Sequence, residues 1–556
     1  MDSGMNIKNK GLVGFLKTNY KTLLDIFFTV LFMGLGLYTL IYYLTGPALG
    51  YFHSDCSDSL LWSQVMIDSG KILSDDFYYA AILPFGSPVY MVPILKIFGY
   101  TMKAQVISTC VFAVIFIFSA LSMFRAMKWK YSVSAFASFC LCMLLSGSVK
   151  LREIMWEHVI YYSLGILFLM LALNLTFRLL DKLENIKEGN LKDKILSVIY
   201  SVLLLLLCAG IATDGFQLLA LTAVPVSAAL VAVVIFDGKT KLASFSVLKK
   251  CSVCALMGIG AVIGTVILDR LTNGGEIAAG YANRYSSWSA MSAWVGNFEK
   301  FPQGWFSLFG VSVEKGEILF SGKSISVLLM LLCAVVLFVC PFVLLGFYKR
   351  LNKYERVIAW SHIVVLGVTM VGYVCGGLSN ANWRLTPLLG SSIIATMALA
   401  GHLCSIKLAP RRVGALLAVF LFAISVFNAN TIFSMDRNFG KDDPLQTVAD
   451  TLEERGYNRG YATFWNASEV TLRSNSAVNV ITYEIVDNKM IETHYQTMDS
   501  WFEDVEGQED YFVIFTQKEY DTVGGQGHVE TFGVNVIDRI DVEGYIILIC
   551  DGNIFR

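Results

Sequence analysis

Eleven apolar stretches, each close to the roughly 20 residues that carry a helix across a bilayer, set the terms for this chain. They run over Leu23–Leu44, Ala104–Phe124, Ser132–Val149, Val159–Leu180, Ile195–Ala212, Phe216–Phe236, Cys251–Leu268, Ile325–Phe347, Val357–Leu378, Leu388–Ile406 and Val413–Phe433. In hydrocarbon a helix satisfies its own backbone, which makes these stretches helices. Composition agrees: 55% of the 556 residues are hydrophobic and 16% charged, where a soluble domain carries about 25% charge. An ordinary soluble enzyme, a disordered chain, collagen and a coiled coil are thereby excluded. No basic excess offers itself to nucleic acid, since 43 Lys and Arg face 44 Asp and Glu. The expected class is a polytopic α-helical membrane protein.

Basic residues orient the crossings. Lys8, Lys10, Lys17 and Lys21 precede the first segment, and every second loop after it is basic: Arg125/Lys128/Lys130, Lys182/Lys187/Lys192/Lys194, Lys239/Lys241/Lys249/Lys250, Lys349/Arg350/Lys353/Arg356 and Lys407/Arg411/Arg412. Those loops face the cytoplasm, so eleven crossings place the N-terminus inside and the C-terminus outside. The first segment is too long for a signal peptide, lacks a cleavage-site pattern, and reads as an anchor. The stretch Ala80–Gly99 is apolar but broken by Pro84, Pro88 and Pro93, so it reads as re-entrant or surface-lying. Two domains follow: a transmembrane part over 1–433, with long outer loops at 45–103 and 269–324, and an extracytoplasmic α/β domain over 434–556.

In that tail, Pro444–Arg455 has the pattern of an amphipathic helix with Pro in its first turn. Tyr461–Phe464, Val478–Tyr483, Tyr511–Thr516 and Tyr545–Cys550 read as strands. From Phe433 onward there are 9 Lys and Arg against 23 Asp and Glu, leaving 34 against 21 in the rest. The neutral total therefore hides a basic membrane body and an acidic outer domain. Most of the 12 cysteines fall inside apolar segments and behave as small hydrophobes. Cys251 and Cys254 at the start of a helix read as packing.

Polar groups near membrane depth are costly unless paired or functional, and here they gather in the outer loops. The first group is His53-Ser54-Asp55-Cys56-Ser57-Asp58. Ser57 or Asp58 could simply cap a helix over Leu60–Ser69; alternatively Asp55 and Asp58, one turn apart, form an acid pair for general-base work or metal binding. Glu157 and His158 stand at a helix entrance in the loop Arg152–His158, as dipole partners or as ligands for sugar hydroxyls, acceptor or metal. Arg384, in Ser379-Asn380-Ala381-Asn382-Trp383-Arg384, is either an interfacial arginine or a fork for a phosphate beside a helix N-terminus. Asp214 either faces the same cavity or caps the next helix. Arg284 lies among Tyr281, Tyr285, Trp288 and Trp294, which form an interfacial belt or a cover for a lipid-linked sugar. In the tail, Asn466 or Ser468 is expected to cap a helix after a strand.

The stretch that follows Asp55 is more specific as a whole: Leu60-Leu61-Trp62-Ser63-Gln64, Ser69-Gly70-Lys71, Asp75-Asp76-Phe77-Tyr78-Tyr79, Pro84, Pro88 and Leu95-Lys96-Ile97-Phe98-Gly99. With the acids before it, this resembles the GT-C superfamily of membrane glycosyltransferases, closest to the protein O-mannosyltransferase and aminoarabinose-transferase type. The likeness in architecture covers residues 20–430. It implies a polyprenyl-phosphate sugar donor, an acceptor hydroxyl on a cell-envelope glycan, lipid or protein, and an acid after the first crossing as the site. Many relatives carry an Asp-Glu pair where this chain has Asp55 followed by Cys56, which leaves open whether Asp55 works alone or with Asp58.

The expectation is an inverting transfer at the outer face of the cell membrane. Asp55 takes the proton of the attacking hydroxyl, Arg384 receives the lipid phosphate, and Asp58, Glu157 and His158 orient substrates or share a divalent cation. No Walker or dinucleotide-binding glycine pattern is present. The rival readings are a lipid-linked saccharide flippase or transporter, disfavoured by the lack of an internal repeat, and a surface-polysaccharide polymerase or ligase.

Overall fold

The computed structural model describes residues 4–555 apart from 185–189, 238–244, 279–286, 314–315, 317, 319 and 378–379. The body consists of α1 (Gly4–Leu44), α2 (Ser54–Ser69), α3 (Pro88–Phe98), α4 (Met102–Ala126), α5 (Tyr131–Leu144), α6 (Val149–Arg152), α7 (Tyr161–Glu184), α8 (Leu191–Thr213), α9 (Phe216–Leu221), α10 (Ala223–Phe236), α11 (Phe245–Leu271), α12 (Trp294–Leu308), α13 (Gly322–Gly346), α14 (Lys353–Cys375), α15 (Thr386–Ser405) and α16 (Ala409–Phe433). Among the described residues ten helices are long and apolar enough to cross a membrane, and a bent pair makes up to eleven. This is a multi-pass membrane protein, and the spans fall where the apolar stretches lie.

The third span is the exception to a straight crossing. α5 stops at Leu144, and the chain turns by 117° into α6 and a π-helical turn over Glu153–Glu157. Ser148 makes the corner: its hydroxyl accepts from the Leu151 N–H and donates to the Leu308 carbonyl. The proline-rich stretch yields only the eleven-residue α3, too short to span. The central helices are α7 and α15, whose apolar windows are 83% buried inside the protein. Gly390 allows their close approach, since a Cβ there would meet Ile166 at 2.5 Å. Elsewhere aliphatic residues such as Ile26, Val202, Val262 and Leu332 stay exposed, as a lipid-facing surface requires.

Contacts sort the loops to two ends of the bundle. At one end Asn273 bonds Asp75, Asp214 bonds the Phe85 N–H, and Lys150 lies over the Trp383 ring. At the other, Lys128 and Lys353 share Asp181, and Arg356 pairs with Asp237. Every outer-loop candidate that can be placed therefore shares one end, opposite the basic loops.

Over that same end sits the C-terminal domain. It holds α17 (Pro444–Glu454), α18 (Phe464–Arg473) and strands β1 (Arg459–Thr463), β2 (Asn479–Val486), β3 (Lys489–Glu492), β4 (Tyr511–Thr516), β5 (Val536–Val542) and β6 (Tyr545–Cys550). Their order is β3-β2-β1-β4-β6-β5, with β1 parallel to β2 and β4 and the other pairs antiparallel. Leu445, Val448, Ala467 and Val470 cover one face, against Ala462, Phe512 and Ile547. Tyr461, Tyr483, Phe515 and Leu548 lie in the core on the other. α18 starts one position after Thr463, so Asn466 and Ser468 lie inside it rather than capping it; the Asn466 amide donates back to Thr463.

Candidate active site

α2 begins earlier than the sequence suggests. Its N-cap is the extended His53, so Ser57 and Asp58 lie within the helix and cap nothing. Asp55 sits in the first turn, where the helix dipole favours an acid, and Asp58 follows one turn later on the same side. The two carboxyls meet different surroundings. Asp55 is half-buried and makes no hydrogen bond or ion pair to any described residue. Asp58 is buried and accepts from the Gln496 Nε2–H at 2.6 Å. Burial, then the charge of Asp55, pushes the Asp58 carboxyl well above the usual carboxylate range, against the lowering by Gln496.

The π-turn supplies the facing wall. Its defining bond runs from the His158 N–H to the Glu153 carbonyl, which brings side chains five apart to one side. Glu153 Oε1 then lies 3.3 Å from His53 Nε2, 3.4 Å from His158 Nε2 and 2.7 Å from Lys150 Nζ. Burial pulls His53 down, but the Glu153 bond and the charges of Asp55, Glu153 and Glu157 together hold it above an ordinary imidazole. Glu157 points inward, accepting from the Tyr43 hydroxyl at 2.5 Å with the Cys56 thiol 3.8 Å from its other oxygen. His158 is likewise buried, its ring edge-on to His53.

Lys150 connects this group to the arginine. Its ammonium lies 5.0 Å from the Trp383 ring centroid, and Arg384 is the next residue, in a 3-10 turn leading into α15. The Arg384 guanidinium makes no hydrogen bond or ion pair to a described residue, and its Nε is buried without a partner. A guanidinium left open beside a helix start is suited to an anion. A cavity of about 270 Å³ lies next to it, lined by Lys300, Gln303, Ser307, Tyr373, Asn380 and Asn382; Asp55 is not among its lining residues.

Asp214 is fully buried between α8 and α9. Its Oδ1 accepts the Phe85 N–H at 2.7 Å, pinning the loop after Pro84. Burial raises it to about 8, against the lowering by the Phe85 and Gly86 amides. Ser87 at the end of that loop bonds Ser59 of α2 at 2.8 Å. Asp214 thus braces the acid helix through the loop. Arg284, Tyr281 and Tyr285 lie outside the described residues. Lys150, Glu153 and Gln496 stand outside the expected set. Glu153 was masked by its spacing from His158, and Gln496 by its distance along the chain.

His53, Cys56 and His158 place one donor atom each so that all three lie within 4.8 Å of one another. Two imidazoles and a thiolate suit zinc. Burial pushes the Cys56 thiol up, so a cation would have to displace its proton. Of the residues expected to share a cation, His158 belongs to this group, while Asp58 and Glu157 are engaged by Gln496 and Tyr43.

No protein-family model and no curated protein matches the chain. Among solved structures it is similar to ArnT from Cupriavidus metallidurans bound to undecaprenyl phosphate. That pair is 13% identical over 94% of this chain and 97% of ArnT, with a TM-score of 0.43. It is also similar to the Archaeoglobus fulgidus oligosaccharyltransferase in complex with Zn and sulfate. There the identity is 11% over 90% of this chain and 71% of the other, with a TM-score of 0.47.

Proposed function

We propose that this chain is an integral-membrane glycosyltransferase that moves a sugar from a polyprenyl-phosphate donor to an acceptor hydroxyl at the outer face of the membrane, with inversion. The observation that carries the reading is the division of labour in the acid pair. A half-exposed, unpartnered Asp55 stands one turn from a buried Asp58 that is held by Gln496, at the end of the bundle that also holds Glu153, His158 and the open Arg384. The donor class comes from the GT-C resemblance of the stretch after Asp55. The outer-face assignment comes from the basic loops at the opposite end.

In the reaction, the acceptor oxygen attacks the sugar C1 while an Asp55 oxygen takes its proton. The C1–O bond to phosphate breaks, and the polyprenyl phosphate leaves with both electrons of that bond. Arg384 stabilises the charge that develops on it. Glu153 holds His53 and Lys150, and Lys150 lies over Trp383, the neighbour of Arg384. A cation at His53, Cys56 and His158, when bound, supplies positive charge beside the acids. The acceptor is a cell-envelope glycan, lipid or protein, and the sugar a hexose or a pentose.

The test incubates membranes carrying the chain with a panel of labelled undecaprenyl-phosphate hexoses and pentoses and with envelope acceptors. One member should lose its sugar to an acceptor, releasing undecaprenyl phosphate. Release no greater than in membranes lacking the chain, for every member, contradicts the reading.

A further inference from the structure

The segment between β3 and Trp501 leaves the C-terminal sheet and pairs with the loop that follows α2. Met498 bridges Phe77 in antiparallel fashion. The Gln496 N–H donates to the Tyr78 carbonyl at 2.7 Å and the Tyr78 N–H to the Thr497 carbonyl at 2.9 Å. The Tyr78 ring stacks on His494 at 4.3 Å, and its hydroxyl donates to Asp499. At the centre, Gln496 takes a left-handed backbone with φ of 56°, which only over-determined surroundings impose on a non-glycine residue. Its side chain is buried against α2.

The two ends of that amide have fixed identities. Trp62 Nε1 lies 2.8 Å from Gln496 Oε1, and an indole N–H can only donate. The oxygen of the amide therefore faces Trp62, and the nitrogen faces Asp58 at 2.6 Å. Trp62 and Asp58 both belong to α2, so one side chain from the C-terminal domain is bonded at both ends to the helix that carries Asp55. An amide locked in this sense can only offer a donor to Asp58.

We infer that Gln496 is a positioning residue: through its Trp62-locked amide the C-terminal domain fixes the Asp58 carboxyl, and with it the acid pair, so that the site is complete only when the domain is docked. This rests on the glycosyl-transfer reading for its kinetic consequence. The structural part stands on the contacts alone.

Two arms test it on the full-length chain in detergent. In the pairing arm, Gln496→Glu withdraws the N–H that Asp58 accepts and puts a second carboxyl in its place, which should lower the melting temperature by about 5 °C, the more so as pH rises. The double change Asp58→Asn/Gln496→Glu again places a donor opposite an acceptor and should recover that loss. Equal melting temperatures for the single and double variants overturn the contact. In the kinetic arm, Gln496→Met keeps volume and removes the amide. The release of undecaprenyl phosphate should lose about a hundredfold in kcat, the cost of small misplacement, with the donor KM unchanged. A wild-type kcat overturns the positioning role. If the unaltered chain releases nothing from any donor, the glycosyl-transfer reading falls, and the pairing arm still decides the clamp.

Discussion

Replacing Arg473 with Ala tests how the C-terminal domain is fastened to the turn that leads into the acid-bearing α2. The Arg473 side chain is only 3% exposed and has four partners. Glu469 accepts from its Nε at 2.8 Å and pairs with Nη2 at 2.7 Å, and Asp443 pairs with Nη2 at 3.0 Å. The Gly440 carbonyl accepts at 3.0 Å and the Leu49 carbonyl at 3.3 Å. Leu49 lies in the 3-10 turn Pro47–Gly50, just before His53. Removal of the guanidinium leaves Glu469 buried without its counter-ion and two carbonyls without donors. Breaking a buried pair in this way costs about 3–5 kcal/mol. Burial already raises Glu469 to about 7 against the lowering by Arg473, so it can take up a proton, which places the cost near the lower end. At about 4 °C per kcal/mol for a domain of this size, the domain transition should fall by roughly 12 °C. Differential scanning fluorimetry gives the shift, and limited proteolysis should release the tail at lower temperature. Arg473→Lys, which keeps the charge without the fork, should fall between. A melting temperature within about 2 °C of the unaltered chain, with unchanged proteolysis, refutes the reasoning.

Asp214→Asn keeps an acceptor for the Phe85 N–H but cannot ionise. The folded-state value near 8 lies above the ordinary 3.8, so the folded protein binds the extra proton between them, and its stability falls as pH rises through that window. The unaltered chain should therefore lose melting temperature from pH 5 to pH 9 while Asp214→Asn loses less; parallel profiles contradict this. Protein purified with zinc present should carry about one ion per chain by elemental analysis, a His2Cys site being well matched to zinc. His158→Ala and Cys56→Ala should carry none. Zinc retained by both variants removes the site.

The membrane body was readable because hydropathy reports burial in lipid directly, and each apolar stretch became a span or a bent pair. The 117° turn after Leu144 was not readable, because it comes from one serine corner and not from a loss of apolar residues. In the tail, β4 and β6 carry continuous apolar runs, and β1 and β2 are marked by Tyr461 and by the β-branched and aromatic stretch Val480–Tyr483. β5 escaped notice because Asp538, Arg539 and Asp541 stay exposed at the sheet edge, and β3 because it has only four residues. Asp55 and Asp58 showed one turn apart in a helix. Glu153 and His158 meet only because a π-turn replaces the ordinary helical repeat. Gln496 reaches Asp58 across 438 positions, a contact that no local pattern encodes.

The most direct test of the account is transfer by Asp55→Asn, measured with whichever labelled undecaprenyl-phosphate sugar the unaltered chain consumes. The amide preserves shape and the helix-dipole position but cannot take a proton, so kcat should fall by about 10²- to 10⁴-fold, the usual contribution of a general base. Melting temperature and donor binding should remain those of the unaltered chain. Full kcat in a folded Asp55→Asn protein contradicts Asp55 as the base.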